Sequence, residues 1–177
     1  MSDDFYLHED EWGMIELLPR ENYAERREMV AEAQAHSEAH RAPDGIGWTQ
    51  IFVAPAAAVE LTVRDVKLAA LAELLGPDWQ RCGRVTSGYS SYVEDCPSSY
   101  AFRGPRGDGY KNVVYGTFKD DAVTSICVTR CGPMLAPVLF KLGTTYRLIL
   151  CDLWSDVVID LADQVAIARY VDDSDDE

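Results

Sequence analysis

Apolar and polar positions along this chain change period several times, and the clearest change lies between Tyr146 and Val171. Two apolar runs, Leu148 to Cys151 and Val157 to Ile159, flank Asp152-Leu153-Trp154-Ser155-Asp156, which has turn chemistry at both ends. Short runs rich in Ile, Leu and Val and bounded by Asp and Ser predict two buried strands joined in a hairpin. After Asp160 the spacing lengthens. Leu161, Val165, Ala168 and Tyr170 or Val171 recur near helical spacing, which predicts a closing helix with Asp160 or Asp163 at its start, where a carboxylate suits the helix dipole.

Earlier in the chain, Trp12 to Leu18 is a short apolar segment ending at Pro19, so it reads as a strand. Residues 21 to 41 contain neither Gly nor Pro and are rich in Ala, Glu and Arg, which predicts an outer helix with a weak apolar stripe at Tyr23, Arg26 or Arg27, Val30 and Ala33 or Gln34. Ala42-Pro43-Asp44-Gly45 breaks it. A strand is expected at Thr49 to Val53. Thr62-Val63-Arg64-Asp65 resembles a capping box opening a helix with Val63, Val66, Ala70 and Leu74 on one face, closed by Gly76-Pro77. Strand pieces follow at Arg84 to Val93 and Tyr100 to Arg103, and the Gly-rich stretch up to Gly109 reads as an exposed turn. Tyr110 to Phe118 and Val123 to Thr129 alternate as a hairpin over Lys119-Asp120-Asp121, expected to pair with the carboxyl-terminal hairpin. Met134 to Lys141 is a further short helix, opened near Pro133 and limited by Pro137. The sum is an α+β fold: one domain over residues 1 to 171, a mainly antiparallel sheet of hairpins with two to four helices packed on it, then an acidic disordered tail over residues 172 to 177.

Composition narrows what such a domain could do. The 177 residues include 30 acidic and 16 basic side chains, a net charge of -14. A negative field of that size repels phosphate backbones and anionic lipid, which argues against direct contact with nucleic acid or a membrane surface. It favours rapid encounter with a basic protein. The amino terminus has no basic-then-apolar leader and no run is long enough to span a bilayer, so the expected compartment is the cytoplasm. The five cysteines, Cys82, Cys96, Cys127, Cys131 and Cys151, then read as free thiols.

Each candidate for bond-making chemistry has a simpler explanation. His36-Ser37-Glu38-Ala39-His40 places two imidazoles at i and i+4, but it is not His-Glu-x-x-His and offers no third ligand nearby, so a polar helix end accounts for it. Cys127 and Cys131 have pair spacing without a second knuckle from Cys82 and Cys96. Thr86-Ser87-Gly88-Tyr89-Ser90-Ser91 is not a nucleophile elbow, and a chain with three histidines has little to supply a base for it. Arg106-Gly107-Asp108 matches the integrin-ligand triplet by coincidence. No metal or cofactor is expected. Acids do cluster with rings at two places: Glu9, Asp10 and Glu11 with Trp12, and Asp152 and Asp156 with Trp154. Aromatic anchors ringed by charge suit a protein interface, and these seven residues are the expected contact surface.

An acidic chain of this size opening FYLHEDEWGMIELLP, and ending in a strand, an Asp-x-Trp turn, the strand Val-Val-Ile-Asp-Leu and an acid-to-Tyr helix, resembles immunity proteins of bacterial polymorphic-toxin and type VI secretion systems. The resemblance implies a non-enzymatic cytoplasmic protein that binds and neutralises a cognate toxin domain, one whose basic cleft an acidic surface can plug. The alternatives are a small enzyme using carboxylates or a metal at His36 and His40, and a self-associating acidic adaptor.

Overall fold

The computed structural model describes residues 4–43, 45–89, 91–105, 112–129 and 132–173. Its elements in chain order are β1 (Asp4–His8), β2 (Ile15–Pro19), α1 (Tyr23–Ala39), α2 (Leu68–Leu75), β3 (Gln80–Arg81), β4 (Arg84–Tyr89), β5 (Tyr92–Asp95), β6 (Ser99–Arg103), β7 (Val113–Lys119), β8 (Ala122–Val123), β9 (Ile126–Val128), α3 (Ala136–Tyr146), β10 (Leu148–Asp152), β11 (Val157–Asp160) and α4 (Gln164–Asp173). The fold is α+β. An antiparallel sheet runs β11-β10-β2-β9-β7-β6-β3, with β8 hanging off β7, and a second sheet runs β1-β4-β5.

The large sheet is covered on both sides, which is why β10 is buried at every position and lacks alternation in sequence. One face carries Leu17, Ile126, Val114, Tyr100, Phe102, Leu148 and Leu150 against Leu71 of α2, Leu139 and Leu142 of α3 and Ile167 of α4. The other face has two covers. Ala101, Val113, Tyr115 and Cys127 pack under Phe5, Leu7 and Val85 of the small sheet, while Leu18, Ile149 and Cys151 pack under Met29 and Val30 of α1. Glu16 of β2 lies between them, in register with Cys151 on one side and Cys127 on the other. A carboxylate therefore interrupts an otherwise apolar row at the seam between the two covers.

The hairpin β10–β11 and the helix after it form as the pattern predicts, with Asp163 Oδ1 accepting from Val165 N (2.9 Å) and Ala166 N (3.1 Å) at the start of α4. α4 continues through Asp172 and Asp173, so the acidic tail loses its first two residues to a helix. Residues 174 to 177 lie outside the described set. The β7–β9 hairpin also forms, but its neighbour is β2, which stands between β9 and β10. Arg84 to Val93 divides into β4 and the start of β5, antiparallel strands on either side of a turn. Pro137 opens α3 within its first turn, where a missing N–H costs nothing, instead of limiting it.

Two expectations fail for tertiary reasons. The capping-box residues form a 3₁₀ turn that ends at Asp65 in a left-handed conformation, φ 47°, and α2 begins only at Leu68. Backbone pairing takes over in between: Val123 N donates to Val66 O (2.8 Å) and Leu68 N to Asp121 O (3.0 Å). The buried face is Leu68, Leu71 and Leu75, and Val63 is exposed. Thr49 to Val53 is not a strand. It belongs to an irregular stretch over residues 45–60 that runs back along α1, from Thr49 at His40 to Pro55 at Arg26, and is tied down by Asn22, whose amide donates to Pro19 O and Val59 O and accepts from Val59 N.

Candidate interaction surface

The acidic turn after β1 is held in place by its neighbours and by its own capping bonds. His8 caps a 3₁₀ turn over Glu9–Glu11: Asp10 N donates to His8 Nδ1 (3.3 Å) and His8 N donates to Glu11 Oε2 (3.2 Å). Glu9, Asp10 and Glu11 are all exposed. Trp12 is not an outward anchor. Its indole donates to Ser87 Oγ (2.7 Å) and lies edge-on to Tyr115, whose hydroxyl donates to Glu11 O (2.8 Å), so the ring fastens the turn to the small sheet.

The rings that do face outward beside this turn come from elsewhere in the chain. β1 pairs in parallel with β4, setting His8 opposite Gly88, and β5 sets Val93 against Gly88 from the other side. A Cβ on Gly88 would come within 1.9 Å of Tyr92 O, so only glycine lets the three strands close here. Around that point Tyr6, Tyr89, Tyr92 and Val93 are exposed, Tyr89 packs edge-on to His8 with centroids 5.2 Å apart, and Tyr6 donates to Gly88 O (2.9 Å). Tyr92 donates to Glu94, and that bond holds the phenol's pKa above its ordinary value of 10.0. Sequence reasoning missed this patch. Its one local signal is Gly88-Tyr89-Ser90-Ser91-Tyr92, since Gly, Ser and Tyr together are the composition of binding loops.

At the second expected cluster the three residues separate by role. Trp154 is 63% exposed and Asp156 is exposed in a left-handed conformation, φ 54°, but Asp152 is only 2% exposed. Its Oδ1 accepts from Trp154 N (2.8 Å) and Ser155 N (3.2 Å), and its Oδ2 from Tyr170 OH (2.8 Å). Asp152 therefore shapes the turn and clamps α4 onto the sheet. It has no face to offer a partner. Leu153 N donates to Met14 O (2.8 Å), so the Trp154 turn and the segment leading into β2 share one end of the sheet.

Between these elements a cavity of about 510 Å³ runs along the seam, reaching Gly13, Leu153, Glu16, Arg26 and the segment over residues 54–57. Burial raises the Glu16 pKa above 4.5, against the pull of the Arg26 guanidinium. Arg26 Nη1 donates to Pro55 O (2.9 Å). Burial also lifts the Cys151 thiol to about 11 and the Cys127 thiol well above its ordinary range, so neither is a thiolate at neutral pH.

The His36 and His40 rings lie tilted against each other with centroids 4.3 Å apart, and His36 also meets Phe52 at 5.7 Å. Among the described residues no three His, Cys, Asp or Glu side chains are grouped to hold a metal ion, and Cys96, Cys127 and Cys151 carry free thiols. Cys131, Ser90 and the Arg106-Gly107-Asp108 triplet lie outside the described residues. No helix among the described residues is long and apolar enough to cross a membrane. Compared with known proteins, the chain matches no family model, no curated protein and no solved structure.

Proposed function

We propose that this chain is a cytoplasmic immunity protein, which binds and neutralises a toxin domain with a basic cleft and makes or breaks no bonds itself. One observation carries the reading: exposed Tyr89, packed on His8 and paired with exposed Tyr92, stands beside the turn that carries exposed Glu9, Asp10 and Glu11, on a chain of net charge -14. Tyrosine supplies large contact area while fixing only two torsions, and surrounding acid speeds encounter with a basic partner and selects it. The contact surface is centred on the small sheet, with Trp154 and Asp156 at the adjoining end and Asp152 beneath them as support.

Co-purification with the toxin-domain product encoded beside this gene, followed by kinetics of the complex, tests the reading. Reversing Glu9, Asp10 and Glu11 to Lys lowers the association rate about tenfold and flattens its salt dependence. Replacing Tyr89 and Tyr92 by Ala speeds dissociation by at least a similar factor, because aromatic anchors act mainly on the off-rate. If both variants associate and dissociate as the parent does, the small sheet is not the contact surface. If the parent forms no complex at all, the immunity reading fails with it.

A further inference from the structure

The connection between α1 and the 3₁₀ turn at Leu61 is longer than most loops inside a compact domain, and such loops are commonly functional. Within it Ile46, Trp48, Ile51 and Val53 are 82, 62, 86 and 83% exposed, four large apolar side chains in eight residues. The backbone that displays them is fixed. Thr49 N and Oγ1 both donate to His40 O (2.8 and 3.1 Å), and Ala42 N donates to Gly47 O (3.0 Å). Gly45 and Gly47 take left-handed conformations, φ 76° and 80°, that turn the chain back. Phe52 is half-buried on His36 and the α1 core, and Arg26 grips Pro55 O just beyond. The segment is thus a braced arm with its apolar side chains facing water.

Charge decides what can cover it. The exposed charged residues of α1 include Glu28, Glu32 and Glu38 against Arg27, so this helix surface is net negative, with Arg41 paired to Trp48 at the base of the arm. Two copies of a chain carrying -14 repel each other, and so do the chain and anionic lipid. We infer that the arm around Trp48, Ile51 and Val53 is a second docking element, which seats in an apolar groove with a basic rim on a partner protein. The proposal goes beyond the small-sheet surface and is independent of whether the partner is a toxin. Because the arm is already ordered, little conformational freedom is lost when it docks.

The probe is a short fluorescent peptide of alternating Lys and Leu, titrated with the full chain at about 0.15 M salt, with Glu/Leu and Lys/Ser peptides as controls. The Lys/Leu peptide binds, and the triple substitution Trp48→Ser, Ile51→Ser, Val53→Ser weakens it at least about tenfold, while Val165→Ser, at an exposed apolar position on α4, leaves it unchanged. The three positions are exposed, so circular dichroism of the triple variant matches the parent. Ile51→Ser alone reads the same surface if it does not. Equal binding by parent and triple variant overturns the inference, as does equal capture of the Glu/Leu peptide. Arm-dependent dimerisation in sedimentation, or arm-dependent flotation with phosphatidylcholine vesicles, also overturns it by assigning the arm to a second copy or to lipid. A failure of the small-sheet variants against the toxin domain touches none of these outcomes.

Discussion

Asp152 joins two chain segments through one carboxylate, the turn at Trp154 and Ser155 on Oδ1 and Tyr170 of α4 on Oδ2. A hydrogen bond contributes about 1 kcal/mol net, and leaving its buried partner unpaired costs about 1–3 kcal/mol. Asp152→Ala is accordingly expected to destabilise the protein by about 3 kcal/mol and Tyr170→Phe by about 2 kcal/mol, read from urea denaturation. Since both remove the same contact, the double variant should fall well short of the sum, and additive losses would mean the two side chains act separately. Glu16 poses the opposite case. Its pKa is raised in the folded protein, so folding favours the protonated form; that contribution is full below the unfolded value and is lost as pH rises through the folded one. Glu16→Gln removes the penalty. The variant should therefore be more stable than the parent at pH 7, with the advantage vanishing as pH falls below 4.5, and an advantage that persists into acid would assign the effect to packing.

At the level of elements, α3 is defined by how closely it approaches the segment after β11. A Cβ on Gly143 would sit 2.2 Å from Leu161 Cβ and 2.4 Å from Leu161 O. Helix propensity alone says Gly→Ala should gain about 1 kcal/mol, but forcing a methyl into closed packing costs about 1–3 kcal/mol or more. Gly143→Ala is expected to lower the melting temperature, and a rise would show that the two elements can part without loss. The same contrast between local and distant forces explains what could be read in advance. The hairpin β10–β11 and α4 were legible because everything that decides them lies within about twenty-five consecutive residues. The start of α2 was not, because Val66 and Leu68 give their backbone to a strand more than fifty residues away. The apolar run at Thr49 to Val53 has the composition of a strand but no partner strand among the described residues, and apart from half-buried Phe52 its side chains face solvent. Glu9 to Glu11 and Trp154 could be placed on the surface from sequence. The tyrosine patch could not, since parallel pairing of β1 with β4 joins positions about eighty residues apart.

For the molecule as a whole, charge acts on stability and on association with opposite signs. Described ion pairs such as Arg20 with Asp160 (2.7 Å) and Arg84 with Asp95 (2.6 Å) lie at the surface, where pairs contribute at most about 1 kcal/mol each. Against them stand 30 acids and 16 bases on 177 residues, a surplus that repels itself throughout the folded body. Screening shortens from about 30 Å at 0.01 M salt to about 8 Å at 0.15 M, which weakens the long-range repulsion more than the short contacts. Sodium chloride over that range should raise the melting temperature by about 2–4 °C, the shift expected for roughly 1 kcal/mol in a domain of this size. The same salt should slow association with a basic partner, because the field that repels like charge is the one that steers its opposite. Melting temperature and association rate measured across one salt series must therefore move in opposite directions. If both fall together, the local ion pairs outweigh the net charge in holding the fold, while steering still governs the encounter. If the melting temperature rises and the association rate stays flat, the acidic surplus is spread away from the contact surface, and binding through Glu9, Asp10 and Glu11 is ruled out.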